Sequence, residues 1–133
     1  MENSIEYRID RALKTVFVKA EGEISIEDLI SQEETIIKDS AFEKGFNTYA
    51  DFSEAKPSHT VNLDKVKMSR DFVGAIQSRR GKCKWAFYAP TDYPYAFAKM
   101  FTILSKDLII EARVFRREEE AKKWLGISPN IGA

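Results

Sequence analysis

The chain has 133 residues, with 21 Lys and Arg balanced by 21 Asp and Glu, so net charge offers no electrostatic case for nucleic acid or an anionic membrane surface as partner. Hydrophobic residues make up 44% and aromatics 12%, enough for one packed core that buries roughly two-thirds of the unfolded surface. No apolar run reaches the roughly 20 residues of a membrane helix, the Met1-Glu2-Asn3-Ser4-Ile5 start lacks a signal-peptide core, and Cys83 is the one cysteine, so no internal disulfide forms and a cytoplasmic setting is expected.

Ile5, Tyr7 and Ile9 alternate with Glu6, Arg8 and Asp10, the period of a half-buried strand. A second strand places Val16, Val18 and Ala20 on one face, and Thr15, Phe17 and Lys19 on the other. The short link between the two suits an antiparallel hairpin, and Gly22 is read as the end of the second strand. Ser25 and Asp28 have the spacing of a reciprocal helix cap. Beyond them Ile26, Leu29, Ile30, Ile36 and Ile37 share one helical face, which only Glu33 interrupts. Phe42 and Gly45 lead to a third strand over 46–52.

The stretch 53–60, Ser-Glu-Ala-Lys-Pro-Ser-His-Thr, is rich in turn formers and predicts a loop. Asn62 or Thr60 then caps a long helix that ends near Arg79, with Gly81 as its stop. Lys82 to Tyr88 reads as a buried fourth strand, and Thr91 or Asp92 caps a helix carrying Pro94 in its first turn, where the missing amide has no acceptor to serve. Tyr93, Ala96, Phe97, Met100, Phe101 and Leu104 recur along that helix at three and four. A fifth strand over 108–115 and a short helix with Ala121, Trp124 and Leu125 inward complete the order β-β-α-β-α-β-α-β-α. That order implies an α/β fold with a mixed, mostly parallel sheet and helices packed against it. No repeat or linker interrupts it: one domain is expected over 5–127, with a loose tail over 128–133.

Three segments carry a family likeness: Ala50-Asp51-Phe52-Ser53; Trp85-Ala86-Phe87-Tyr88-Ala89-Pro90-Thr91-Asp92 with Ala96-Phe97-Ala98-Lys99-Met100-Phe101; and Arg113-Val114-Phe115-Arg116 with Glu119-Glu120-Ala121-Lys122-Lys123-Trp124-Leu125. In these the chain resembles the STAS domains, more closely their small bacterial SpoIIAA-like branch, and is also similar to the lipid-binding CRAL-TRIO domains. The resemblance implies a STAS-like domain without enzymatic activity. Anti-sigma-factor antagonists of this family are switched by phosphorylation after the third strand. Thr60 falls at the corresponding position, but the neighbouring Ser and both Gly of the family segment are replaced here, in His59-Thr60-Val61-Asn62-Leu63-Asp64.

In parallel α/β sheets ligands bind beyond the carboxyl ends of strands. Those ends place Asp51, Ser53, Ser58, His59, Thr91, Asp92, Tyr93 and Arg116 as a candidate pocket mouth. Against this stands the plain role of such residues in capping helices and turns. His59 is the one histidine, with no nucleophile or orienting carboxylate implied beside it. Cys83 lies between Lys82 and Lys84, which on a strand point to the other face and leave a buried, inert thiol. No spacing suggests a metal site, and no cofactor is expected.

Two binding surfaces remain. Met68, Phe72 and Ala75 form a second stripe beside the Val66–Val73–Ile76 stripe on the long helix, a candidate partner or dimer interface. Tyr88, Phe97, Met100 and Phe101 are the candidate lining of an apolar cavity. The primary expectation is regulatory protein–protein association through the 63–79 helix, with an unidentified protein partner and self-association. The alternative is binding or sensing of a small apolar or lipid-like ligand between the sheet and the 93–104 helix.

Overall fold

A computed structural model describes residues 3–130. Strand β1 (Ser4–Asp10) pairs antiparallel with β2 (Thr15–Ile24), and β3 (Asn47–Pro57), β4 (Cys83–Tyr88) and β5 (Ile110–Phe115) follow in parallel, so the five strands lie side by side in chain order. Each parallel step is bridged by one helix: α1 (Ile26–Lys38), α2 (Leu63–Arg80) and α3 (Asp92–Leu104). Right-handed crossovers that always step in one direction across a sheet put their helices on one face. Accordingly α1, α2 and α3 cover the face carrying Val16, Val18, Ala50, Trp85 and Ile110. The last helix, α4 (Glu118–Leu125), covers the opposite face, packing Ala121 and Leu125 against Phe17, Tyr49 and Ala86.

The helix ends follow their local chemistry. Ser25 accepts from the Asp28 amide while Asp28 accepts from the Ser25 amide, the reciprocal cap expected at α1. Of the two candidate caps for α2, Asn62 does the work, accepting from the Lys65 amide. Thr91 stands at the cap position of α3 without a side-chain cap bond. Gly81 stops α2 at φ +78°, and a Cβ there would sit 2.6 Å from Lys44 Cγ and 3.1 Å from the Gly45 amide nitrogen, so only glycine lets the chain turn this close to the 44–45 backbone.

The third strand departs from the sequence reading. Instead of a loop beginning at residue 53, β3 continues to Pro57, and β2 continues past Gly22 to Ile24 beside it. Between Lys19↔Asp51 and Glu21↔Glu54, β3 advances one residue more than β2. This bulge flips the alternation of everything beyond it. Without it Glu54 and Lys56 would face the helices; with it Ala55 and Pro57 do. Beyond Asp51, β3 has no pairing with β4, so the β2–β3 ribbon projects past the rest of the sheet.

After α4 the chain stays attached for several residues. Ile127 is buried, and the Lys122 ammonium, itself enclosed and paired with Glu118, donates to the Pro129 carbonyl at 3.1 Å. The tail expected over 128–133 lies outside the described residues from 131 onward. Among the described residues no helix is long and apolar enough to cross a membrane.

Candidate functional site: an apolar cavity beneath three helices

The bulged ribbon roofs a cavity of about 160 Å³ between the sheet and the α1, α2 and α3 layer. Its wall combines Ile26, Leu29 and Ile30 of α1, Val66, Phe72 and Val73 of α2, Pro94, Phe97, Ala98 and Phe101 of α3, and Val18, Ala50, Phe52, Trp85 and Phe87 of the sheet. At 1.5 Å per residue, the α1 wall from Ile26 to Ile36 is about 15 Å long. Four aromatic contacts stiffen the wall: Phe52 stacks on Phe87 at 5.7 Å, Trp85 stacks on Phe101 at 6.3 Å, Phe87 meets Phe101 edge-on at 5.8 Å, and Trp85 meets Phe87 edge-on at 6.4 Å.

One end of the wall is polar. Arg80, at the last turn of α2, is 0% exposed in its side chain, and Glu33 of α1 is 11% exposed. Arg80 Nε donates to Glu33 Oε2 at 2.6 Å, and Nη2 donates to Glu33 Oε1 at 3.1 Å and to Thr48 Oγ1 at 2.7 Å. The guanidinium also lies 4.8 Å from the Trp85 ring centroid and 5.1 Å from that of Phe42. One cation thus ties α1, α2, β3 and β4 together. Glu33, Thr48 and Gln32 all line the cavity. Glu33 is the residue that interrupts the apolar face of α1; that interruption signalled a buried partner, but Arg80 itself reads in the sequence as an ordinary cation at a helix end.

The residues singled out from the sequence fall in several places. Phe97 and Phe101 line the cavity, as does Phe72, read from the sequence as an interface residue. Met100 packs on the same core from outside the cavity wall. Tyr88 lies on the other face of the sheet, in the cluster under α4, because β4 alternates and Trp85 and Phe87 take the α1–α3 side. Met68 is 37% exposed and Ala75 is exposed on α2.

The eight residues proposed for a pocket mouth divide into separate groups, and none lines the cavity. Asp51 accepts from the Ser53 amide at 2.8 Å and lies 3.9 Å from Lys19 Nζ. Ser58 Oγ is 3.1 Å from Thr60 Oγ1, and His59, 88% exposed, is 3.7 Å from Glu23. Arg116 donates to Asp92 at 2.8 Å and to the Pro90 carbonyl at 3.2 Å, with its guanidinium 4.1 Å from the Tyr95 centroid. Thr91 and the 75%-exposed Tyr93 flank Asp92 in solvent. These contacts are turn-capping and surface pairing on strand ends and loops.

Cys83 sits on β4 two residues before Trp85, and burial pushes its thiol up to about 11. The neighbouring Lys84 reaches the Trp124 carbonyl on the α4 face, so it does not activate the thiol. Burial also raises Tyr49, whose hydroxyl has no partner.

No family model matches the chain, and no curated protein does. Among solved structures it is similar to an uncharacterized protein of the DUF3478 family from Shewanella loihica PV-4, with a TM-score of 0.62 over 94% of this chain and 96% of that one, at 15% identity. At that identity the likeness concerns the backbone path alone. That protein has a SpoIIAA-like fold, and the β-β-α-β-α-β-α-β-α chain described here has the same one.

Proposed function

We propose that this protein is a non-enzymatic binding module, one unit over residues 5–127, that takes a small apolar molecule into the cavity under α1, α2 and α3. The cavity itself carries the reading: about 160 Å³, open on one side and lined mainly by aliphatic and aromatic side chains. Engineered apolar cavities of about 150 Å³ stay dry and bind benzene, whereas sites for drug-sized ligands start at about 300 Å³. The volume therefore suits one ring or a short alkyl segment as the buried part of a ligand. A cytoplasmic setting fits the single buried thiol of Cys83.

Regulatory association through α2 has less support. Phe72, its natural anchor, belongs to the cavity wall, which leaves Leu63, Met68 and Ala75 as exposed apolar positions on α2. Scattered single apolar side chains are ordinary on a protein surface.

The test uses ethylbenzene and thermal unfolding. A ligand at a hundredfold excess over its Kd stabilises the fold by about 2.7 kcal/mol, which is readable as a rise in Tm. Ala98→Leu puts a larger side chain into the wall while keeping helix propensity, and abolishes the rise with the fold intact. Ethylbenzene that leaves the wild-type Tm unchanged, or raises that of Ala98→Leu equally, refutes the site.

A further inference from the structure

Five side chains of the cavity wall carry hydrogen-bonding atoms: Gln32, Glu33, Thr48, Ser69 and Trp85. Ser69 is satisfied within α2, donating to the Val66 carbonyl at 2.6 Å. Glu33 holds Arg80 through both carboxylate oxygens. The other three have donors to spare, the Trp85 indole Nε1 being buried without a partner. Gln32 Nε2 is buried and has no hydrogen-bond partner. Thr48 Oγ1 accepts from Arg80 Nη2, which leaves its hydroxyl hydrogen to donate. Next to them Arg80 Nη1 is also buried and unpartnered. Buried donors without acceptors are uncommon in folded proteins and costly where they occur. Gln32, Thr48 and Trp85 line the cavity, and Arg80 joins its polar wall through Glu33 and Thr48.

We infer that the ligand is amphipathic: a compact apolar body bearing one uncharged acceptor oxygen, such as a ketone, aldehyde or ester carbonyl. The oxygen accepts from Gln32 Nε2 and the Thr48 hydroxyl, and the body lies against Phe72, Phe97 and Phe101. This rests on the proposed apolar site and specifies its ligand class. The oxygen is uncharged for an electrostatic reason. Arg80 is already neutralised by Glu33, so a carboxylate brought here would lose its water, meet a second carboxylate and find no free net positive charge. A carbonyl needs only the donors and loses little hydration on entry. A wholly apolar ligand leaves the donors as they are, and therefore binds more weakly by the value of the missing hydrogen bonds.

Three probes of similar shape separate the cases: ethylbenzene, acetophenone and benzoate, titrated by calorimetry into wild-type protein and into Gln32→Leu and Thr48→Val. The wild type is expected to bind acetophenone roughly tenfold more tightly than ethylbenzene, the worth of one good buried hydrogen bond, and benzoate least well. Each variant should lose most of that preference while still binding ethylbenzene, which shows that the cavity is intact. Far-ultraviolet circular dichroism of both variants checks the fold. Equal binding of ethylbenzene and acetophenone to the wild type overturns the polar-end inference and leaves the apolar site standing. An unchanged preference in both variants also overturns it, because the oxygen is then held elsewhere. Tightest binding of benzoate overturns the uncharged class. Failure of all three probes to bind refutes the cavity as a ligand site, and this inference with it.

Discussion

Removing the Arg80 side chain tests the most heavily constrained contact in the molecule. In Arg80→Met the methylene stem keeps its place beside Phe42 and Trp85, while the guanidinium that donated twice to Glu33 and once to Thr48 is gone. Because Arg80 is wholly enclosed and Glu33 nearly so, the orphaned carboxylate has little access to water. Breaking a buried pair from one side costs about 3–5 kcal/mol. Domains of this kind have total stabilities of about 5–15 kcal/mol, so the variant should approach the limit of folding and melt roughly 10–20 °C lower. The double variant Glu33→Leu/Arg80→Met removes both charges and should recover most of the loss, since apolar replacements of buried pairs are often neutral or better. Urea unfolding of the wild type, both single variants and the double gives the coupling directly. A loss under about 1 kcal/mol in Arg80→Met would refute the reasoning, and so would a double variant whose loss equals the sum of the singles.

Burial raises the Cys83 thiol to about 11 from an ordinary value of 9.0, so the folded state holds its proton more tightly than the unfolded one. Its contribution is therefore complete below pH 9 and is lost as pH rises towards 11, by about 2–3 kcal/mol. Cys83→Ala should flatten that alkaline slope in urea titrations, and an unchanged slope would contradict the assignment; Tyr49, raised in the same direction by burial, acts at still higher pH. Inserting one alanine after Phe52, with the one-residue bulge retained, shifts the rest of β3 by one position and turns Glu54 and Lys56 towards the cavity in place of Ala55 and Pro57. That variant should lose ethylbenzene binding and unfold at lower urea than the wild type, whereas retained binding would show that the register of the ribbon does not shape the cavity.

Much of this architecture is legible in local pattern. The alternation of Ile5, Tyr7 and Ile9, the Ser25–Asp28 cap and the Gly81 stop each follow from short-range physics, and the structure places them as that physics dictates. Two features escape such reading for different reasons. Residues 53–57 carry turn-forming Ser, Lys and Pro, yet run as strand because β2 extends beside them; this pairing partner lies some 30 residues away in sequence and overrides local preference. The Glu33–Arg80 pair is separated by 47 residues, so the sequence shows only an anomaly on an apolar face and a cation at a helix end. Of the candidate mouth residues, Asp51 and Ser53 belong to β3, and the partners of the others are neighbouring side chains and adjacent backbone. Which side chains enclose a void depends on how three helices settle on one sheet face, and no local pattern specifies that fit.

Titrating the wild-type protein with ethylbenzene while recording backbone amide and methyl resonances shows whether the cavity takes up an apolar molecule. The account predicts saturable, one-to-one changes centred on residues of the cavity wall, Leu29, Val66, Val73 and Ala98 among them, with the α4 face around Tyr88 and Trp124 unaffected. An absence of saturable change, or changes centred on the α4 face, would contradict it.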